Sequence, residues 1–317
     1  MSPAPTTIRK PKALRRGSTL AFFAPASPPS EDGGFRSGLH ELNRLGFGVV
    51  QAHEFHPSGY FAGSTEERTA GFLNALRDPA ISGLVALRGG YGSTYLLDLL
   101  LKENLESVKC VIGYSDLTAL QTFLWQKHAW VSFQGPMLLA GFAGGGPNDL
   151  RGYDENSFLS AVTRTAGTWS MNLGGESLRP GNGEGRILGG CLTILQATIG
   201  TPWELETAGA ILLLEDTRMK PYQVDRALTH LKQAGKFRDI RGIVLGEFPN
   251  SEPPIAGSPT VHEVCERILC PLGVPVVFGA PVGHAERAML TVPLGVQARL
   301  EASGEGTLEI LEPAVID

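Results

Sequence analysis

Lys109-Cys-Val-Ile-Gly-Tyr-Ser115-Asp-Leu-Thr-Ala-Leu120 is the stretch on which the reading of this chain turns. Residues 109–112 form a short apolar run of the kind buried in a parallel sheet, Gly113 ends it, and helical spacing begins just after Ser115 and extends over 117–127. A serine at a strand-to-helix turn stands at the carboxyl edge of a sheet, where α/β proteins collect their ligands. The N–H groups that follow it belong to a helix N-terminus and favour a developing oxyanion. The segment is not the Gly-x-Ser-x-Gly of a nucleophile elbow, and an N-capping role for Ser115 is the simpler account of its position taken alone.

The segments around this turn repeat the same alternation. Strand signals at 18–24, 47–52 and 81–87 are separated by helical patterns at 31–45 and from Ser64 onward, where Ser64 and Glu67 have capping-box spacing. Strands alternating with helices define an α/β fold with a parallel sheet. From about Gly141 to Gly185 the pattern gives way to turn-rich Gly144-Gly-Gly-Pro-Asn and Leu173-Gly-Gly-Glu-Ser, which reads as a linker. A second compact region then holds a helix introduced by Gly189-Gly190, strands at 210–214 and 242–245, helices at 222–233 and 261–269, and a hairpin around Gly304-Glu-Gly. The expected organisation is an N-terminal unit over 1–145, a linker over 146–185 and a C-terminal unit over 186–317, in keeping with a prior of roughly 150 residues per domain.

Composition excludes several classes. The 27 basic and 32 acidic residues give a net charge of −5, with no block of Lys or Arg. That is not the electrostatic footprint of a nucleic-acid partner. The small cluster Arg9, Lys10, Lys12, Arg15 and Arg16 reads as a solvated arm. No apolar run is long enough to span a bilayer, and Met1-Ser-Pro-Ala-Pro is not a secretory n-region, so the cytoplasm is the expected compartment. Cys110, Cys191, Cys265 and Cys270 match neither a disulfide framework nor a zinc spacing, and Cys110 falls in a strand core.

Three further segments could carry chemistry. Arg88-Gly-Gly-Tyr-Gly-Ser follows a strand, and its glycines let backbone N–H groups approach a ligand; without a nucleotide fingerprint, a tight turn explains it equally well. A serine needs a base to become nucleophilic. Among the seven histidines, His53 and His56 read as surface residues. His262 begins a zincin-like helix, but Glu266 occupies the place of the second metal ligand. His284, in Gly279-Ala-Pro-Val-Gly-His, lies on a Gly/Pro-bounded loop after an apolar strand and is the best base candidate. Ile211-Leu-Leu-Leu-Glu215-Asp216 ends a strand with two carboxylates, either of which could serve a helix terminus or orient an imidazole.

Taken together, Arg88-Gly-Gly-Tyr-Gly-Ser, Gly113-Tyr-Ser-Asp-Leu-Thr, Gly135-Pro-Met, Leu214-Glu-Asp with Asp225-Arg226, and Gly283-His with Pro293-Leu-Gly resemble the LD-carboxypeptidase family of serine peptidases, which also contains the microcin C immunity proteins. The resemblance implies a Rossmann-like N-terminal domain, a smaller mixed α/β C-terminal domain and an active site in the cleft between them. It implies a catalytic triad of Ser115, His284 and Glu215, and an oxyanion hole from the N–H groups of Gly90 and Asp116. Gly89 and Tyr91, on the same glycine loop, are expected to contact substrate. No metal or organic cofactor is implied. The implied substrate is a murein tetrapeptide losing its terminal D-alanine; the immunity branch, acting on peptidyl or aminoacyl adenylate analogues, is the alternative. A homodimer is the implied assembly. This chain has Cys191 where the family often has Asn, and Gln134 where it often has His; both departures fall near the expected cleft.

Overall fold

Parallel pairing of short, apolar strands builds the first unit of the computed structural model, which describes residues 7–29, 34–144 and 152–317. In chain order its elements are β1 (Thr19–Phe23), α1 (Phe35–Arg44), β2 (Gly48–Gln51), α2 (Thr65–Arg77), β3 (Ile81–Ala86), α3 (Thr94–Leu100), β4 (Cys110–Gly113), α4 (Thr118–His128) and β5 (Ser132–Gln134). The strands lie in the order β2-β1-β3-β4-β5, all parallel. This doubly wound order opens a crevice beyond the carboxyl ends of β1 and β3, where the sheet switches direction. β4 is buried along its length, Cys110 included, because helices cover both faces of a parallel sheet. The capping box of α2 is present: Ser64 Oγ accepts the Glu67 N–H at 3.1 Å, and Glu67 accepts the Ser64 N–H at 2.8 Å. The first residues expected for α1, 31–33, lie outside the described residues.

The second unit contains α5 (Glu155–Thr163), β6 (Trp169–Asn172), β7 (Glu176–Arg179), β8 (Gly181–Cys191), α6 (Leu192–Ala197), β9 (Ala210–Glu215), α7 (Pro221–Gln233), β10 (Gly242–Gly246), α8 (Val261–Leu269), β11 (Val276–Ala280), β12 (Val292–Leu294), β13 (Gln297–Ala302) and β14 (Thr307–Ile310). Its sheet runs β6-β14-β13-β8-β9-β10-β11-β7, with β8 to β11 parallel and the flanking strands antiparallel. The expectation of a smaller C-terminal unit does not extend to this sheet, which has eight strands against six in the first.

Four readings of the sequence are corrected. The segment read as linker supplies α5, β6, β7 and the start of β8, while the Gly-Pro-Asn turn at 146–148 lies outside the described residues. Gly189 and Gly190 end β8, and the helix begins at Leu192. β12 leaves its own unit and pairs antiparallel with β5, becoming the outer strand of the first sheet. The basic cluster is docked in part, with Lys12, Arg15 and Arg16 exposed as expected: Arg9 lies 5.6 Å over the Trp130 ring and donates to Leu105 O at 2.7 Å, and Lys10 pairs with Glu312 at 2.8 Å.

Side-chain alternation in β9 sets up the site. Ile211 and Leu213 enter the core shared with the first unit, whereas Leu212 and Leu214 enter a second core with α7 and α8. With a period of two, Glu215 faces the first unit and Asp216 faces away.

Candidate active site

At the end of β4 the chain stays extended through Tyr114 (φ −150°, ψ −167°) and then turns sharply at Ser115, whose φ is +64°. A left-handed conformation costs a non-glycine residue roughly 1–2 kcal/mol, and such strain gathers at functional sites. A single 3₁₀ turn, Ser115–Leu117, leads into α4. The Ser115 hydroxyl caps neither helix: the N-cap positions are Tyr114 and Leu117, without side-chain cap bonds. The capping account of Ser115 is therefore not the one the structure adopts.

The glycine loop at 88–93 comes down on this serine. A Cβ built on Gly89 would stand 2.8 Å from both Cβ and Oγ of Ser115, so only glycine fits there. Backbone and buried polar groups hold the loop. Tyr91 N–H donates to Ser27 Oγ at 3.2 Å, and Ser93 N–H donates to Asp116 Oδ2 at 2.7 Å. Burial pushes the Asp116 carboxyl above its usual range, although the bonds from Ser93 and the charge of Arg68 oppose this. Arg68, 1% exposed, donates to Gly63 O at 3.1 Å, to Gly92 O at 2.9 Å and to Pro25 O. The loops after β1 and β3 are thereby tied to each other and to the serine turn. Ser27 and Arg68 gave no sequence signal, since the partners that tie the loops together, Tyr91 N–H, Pro25 O and Gly92 O, are backbone atoms distant in the chain.

The second unit contributes a preassembled pair. Glu215, fully buried, accepts both His284 Nδ1 at 2.7 Å and the His284 backbone N–H at 2.9 Å on the same oxygen, Oε2. With a carboxylate as acceptor, Nδ1 is the donor, which leaves Nε2 free for other contacts. Gly283 has φ +63°, and a Cβ there would lie 2.2 Å from Glu215 Cδ, so the loop packs directly on the carboxylate. Burial pulls the His284 pKa down, but the charge and hydrogen bond of Glu215, helped by Asp216, outweigh it and leave it raised above the ordinary 6.5. The Tyr114 ring meets the imidazole edge-on at 5.0 Å, and burial together with Glu215 pushes its phenol well up. Asp216 turns the other way: its Oδ2 accepts Thr193 N–H at 2.8 Å and Thr193 Oγ1 at 2.7 Å at the start of α6. The two adjacent carboxylates thus divide the two roles that the sequence left open.

Ser115, Gly89, Gly90 and Arg88 from the first unit, and His284 from the second, line one cleft of about 300 Å³. Tyr91 does not line it. Its exposed ring joins Tyr60, Phe61 and Tyr95 in a surface cluster, with Tyr91 and Tyr95 hydroxyls 3.2 Å apart. Gln134 is fully buried and does not line the cleft, and Cys191 pairs in register with Glu215 while its thiol contacts Asp216 at 3.4 Å. His262 bonds Glu176 at 3.0 Å and His56 bonds Glu67 at 3.1 Å, both away from the cleft.

A serine at a strained turn that shares a cleft with a carboxylate-anchored imidazole has the composition of a serine hydrolase site. Comparison with known proteins defines the class more closely. The chain belongs to the LD-carboxypeptidase family: the model of the family's N-terminal domain matches residues 20–135, and that of its C-terminal domain matches 184–300. It is 33% identical to a probable murein peptide carboxypeptidase of Bacillus subtilis, over 93% of this chain and 92% of that one. It is 30% identical to the microcin C7 self-immunity protein MccF of Escherichia coli, over 91% of this chain and 92% of that one. Its fold matches the crystal structure of a muramoyltetrapeptide carboxypeptidase from Oxalobacter formigenes with a TM-score of 0.79 and 28% identity, covering 93% of this chain and 99% of that one. The fold is accordingly that of a two-domain α/β carboxypeptidase. Among the described residues no helix is long and apolar enough to cross a membrane.

Proposed function

We propose that this chain is a serine carboxypeptidase that hydrolyses the L,D-amide bond before the terminal D-alanine of a murein tetrapeptide, through an acyl-enzyme on Ser115. The observation that carries the reading is the Glu215–His284 pair, whose imidazole opens onto the cleft that holds Ser115. His284 Nε2 takes the Ser115 proton as Oγ attacks the scissile carbonyl carbon. Glu215 fixes the tautomer that leaves Nε2 unprotonated and stabilises the imidazolium that forms. The tetrahedral oxyanion develops against the N–H groups of Gly90 and Asp116, and loss of one such donor costs about 3–4 kcal/mol of barrier. The imidazolium then protonates the leaving amine, D-alanine departs, and water activated by the same imidazole releases the acyl group. Kinship with a murein peptide carboxypeptidase supports the substrate.

Mass spectrometry of a muropeptide tetrapeptide incubated with wild-type and Ser115→Ala protein tests the reading. Loss of one alanine with wild type and an intact peptide with the variant are expected; an alanine still released by the variant would point to another nucleophile. The similarity to MccF supports a second reading, an amidase for aminoacyl adenylate analogues. It gains if an aminoacyl-sulfamoyl adenosine is cleaved while the tetrapeptide is not. The proposal carries the family's cytoplasmic homodimer with it, which sedimentation velocity and cell fractionation would check.

A further inference from the structure

An enzyme that removes one residue from a chain end can locate that end by its free α-carboxylate, and a carboxylate entering a cleft loses hydration that only a cation or converging donors replace. Apart from Ser115, His284 and the two glycines, the cleft is lined by the neutral side chains of Tyr114, Met137, Leu139 and Ala140, and by Arg88. His284 has to be neutral when it accepts the serine proton, so it cannot supply a standing positive charge. Arg88 is the one permanent cation among the described lining residues. It is half-buried, and among the described residues its guanidinium contacts one acceptor, Pro28 O, at 3.5 Å, the outer limit of a hydrogen bond. Arg68 makes the contrast: it is wholly buried and spends its donors on three backbone carbonyls and the Thr65 hydroxyl, so it serves the fold. Arg88 directly precedes Gly89, the residue pressed against Ser115 Cβ and Oγ. A one-residue leaving group places its carboxylate roughly 4 Å from the carbon that Ser115 attacks, well within the reach of an arginine rooted beside that serine.

We propose that Arg88 is the specificity-determining residue that pairs with the substrate's terminal carboxylate, and so makes this site an exopeptidase that counts one residue back from the end. The proposal rests on the carboxypeptidase reading above. It predicts discrimination between two peptides that differ only at the terminus, the tetrapeptide free acid and its C-terminal carboxamide. Wild type should favour the acid by roughly 100-fold in kcat/KM, as expected for a charge pair of partly desolvated groups. In Arg88→Gln that ratio should fall to about 1, and Arg88→Lys, which keeps the charge but not the two-pronged geometry, should recover part of it. If Arg88 only braces the loop at Pro28, both substrates lose activity together and the ratio stays at its wild-type value, which overturns the proposal. A wild-type ratio near 1 overturns it as well. A wild-type protein that cleaves neither peptide overturns the peptidase reading and the role of Arg88 with it, a result distinct from the other two.

Discussion

The two sides of the cleft are organised in opposite ways. On the first unit, Ser115 is placed by backbone conformation: a left-handed turn after β4, a glycine loop pressed against it, and a buried arginine that ties the surrounding loops. On the second unit, His284 is placed by side-chain chemistry, with one buried carboxylate oxygen taking both its ring and its backbone N–H. The proposed nucleophile is therefore positioned by strain and the proposed base by pairing. The first arrangement should tolerate loss of the side chain itself, whereas the second should not tolerate loss of its partner.

The largest effect tests the strained side. Ser115→Ala should lower kcat by about 10⁴-fold or more with little change in the denaturation midpoint, because the hydroxyl is no part of a helix cap. Ser115→Gly should be equally inactive, yet more stable than Ser115→Ala by up to about 1 kcal/mol, since glycine carries no penalty at φ +64°. Equal stability of the two variants in urea titration would remove strain from the account.

Glu215→Gln tests the paired side and should lower kcat by about 10³- to 10⁴-fold. It should also move the pH profile. With His284 as the proposed base, activity needs its neutral form, so a raised pKa places the acid limb of kcat/KM above pH 6.5; with the Glu215 charge gone and burial unchanged, the limb should shift to lower pH. Stability follows the same sign. The contribution of protonated His284 is complete below the unfolded pKa of about 6.5 and disappears as pH rises through the higher folded value. A limb that stays in place would mean that Glu215 does not govern the imidazole.

Gly283→Ala should come next, destabilising by about 2–3 kcal/mol because a Cβ meets Glu215 Cδ at 2.2 Å on a left-handed residue; thermal unfolding measures it. Tyr91→Phe should be the smallest. Among the described residues the hydroxyl it removes meets only Tyr95, and the loop is held by the backbone bond to Ser27, so kcat/KM should change by about twofold or less.

Much of this was legible in the chain. The strand, glycine and serine at 110–115 specify a turn at the carboxyl edge through local chemistry, and the alternation of β9 decides which of two adjacent carboxylates faces the cleft once the two cores are known. What stayed hidden depends on distant partners. β6 alternates apolar and polar residues but over only four positions, β7 has a single apolar residue, and the glycine-rich start of β8 reads as a turn until β13 pairs with it, Gly181 opposite Ala302 and Gly183 opposite Leu300. The supports of the glycine loop were equally silent, because a buried arginine bonded to carbonyls has no spacing rule.

The strand that crosses between units has a consequence for how the molecule is made. β5 receives its outer neighbour only when Val292–Leu294 arrives, so on a nascent chain leaving the ribosome β5 is itself an open edge until that strand has been made. Once in place, the strand becomes the new border of the sheet, and Pro293 gives that border a residue without an N–H, which makes it a poorer template for a neighbouring chain.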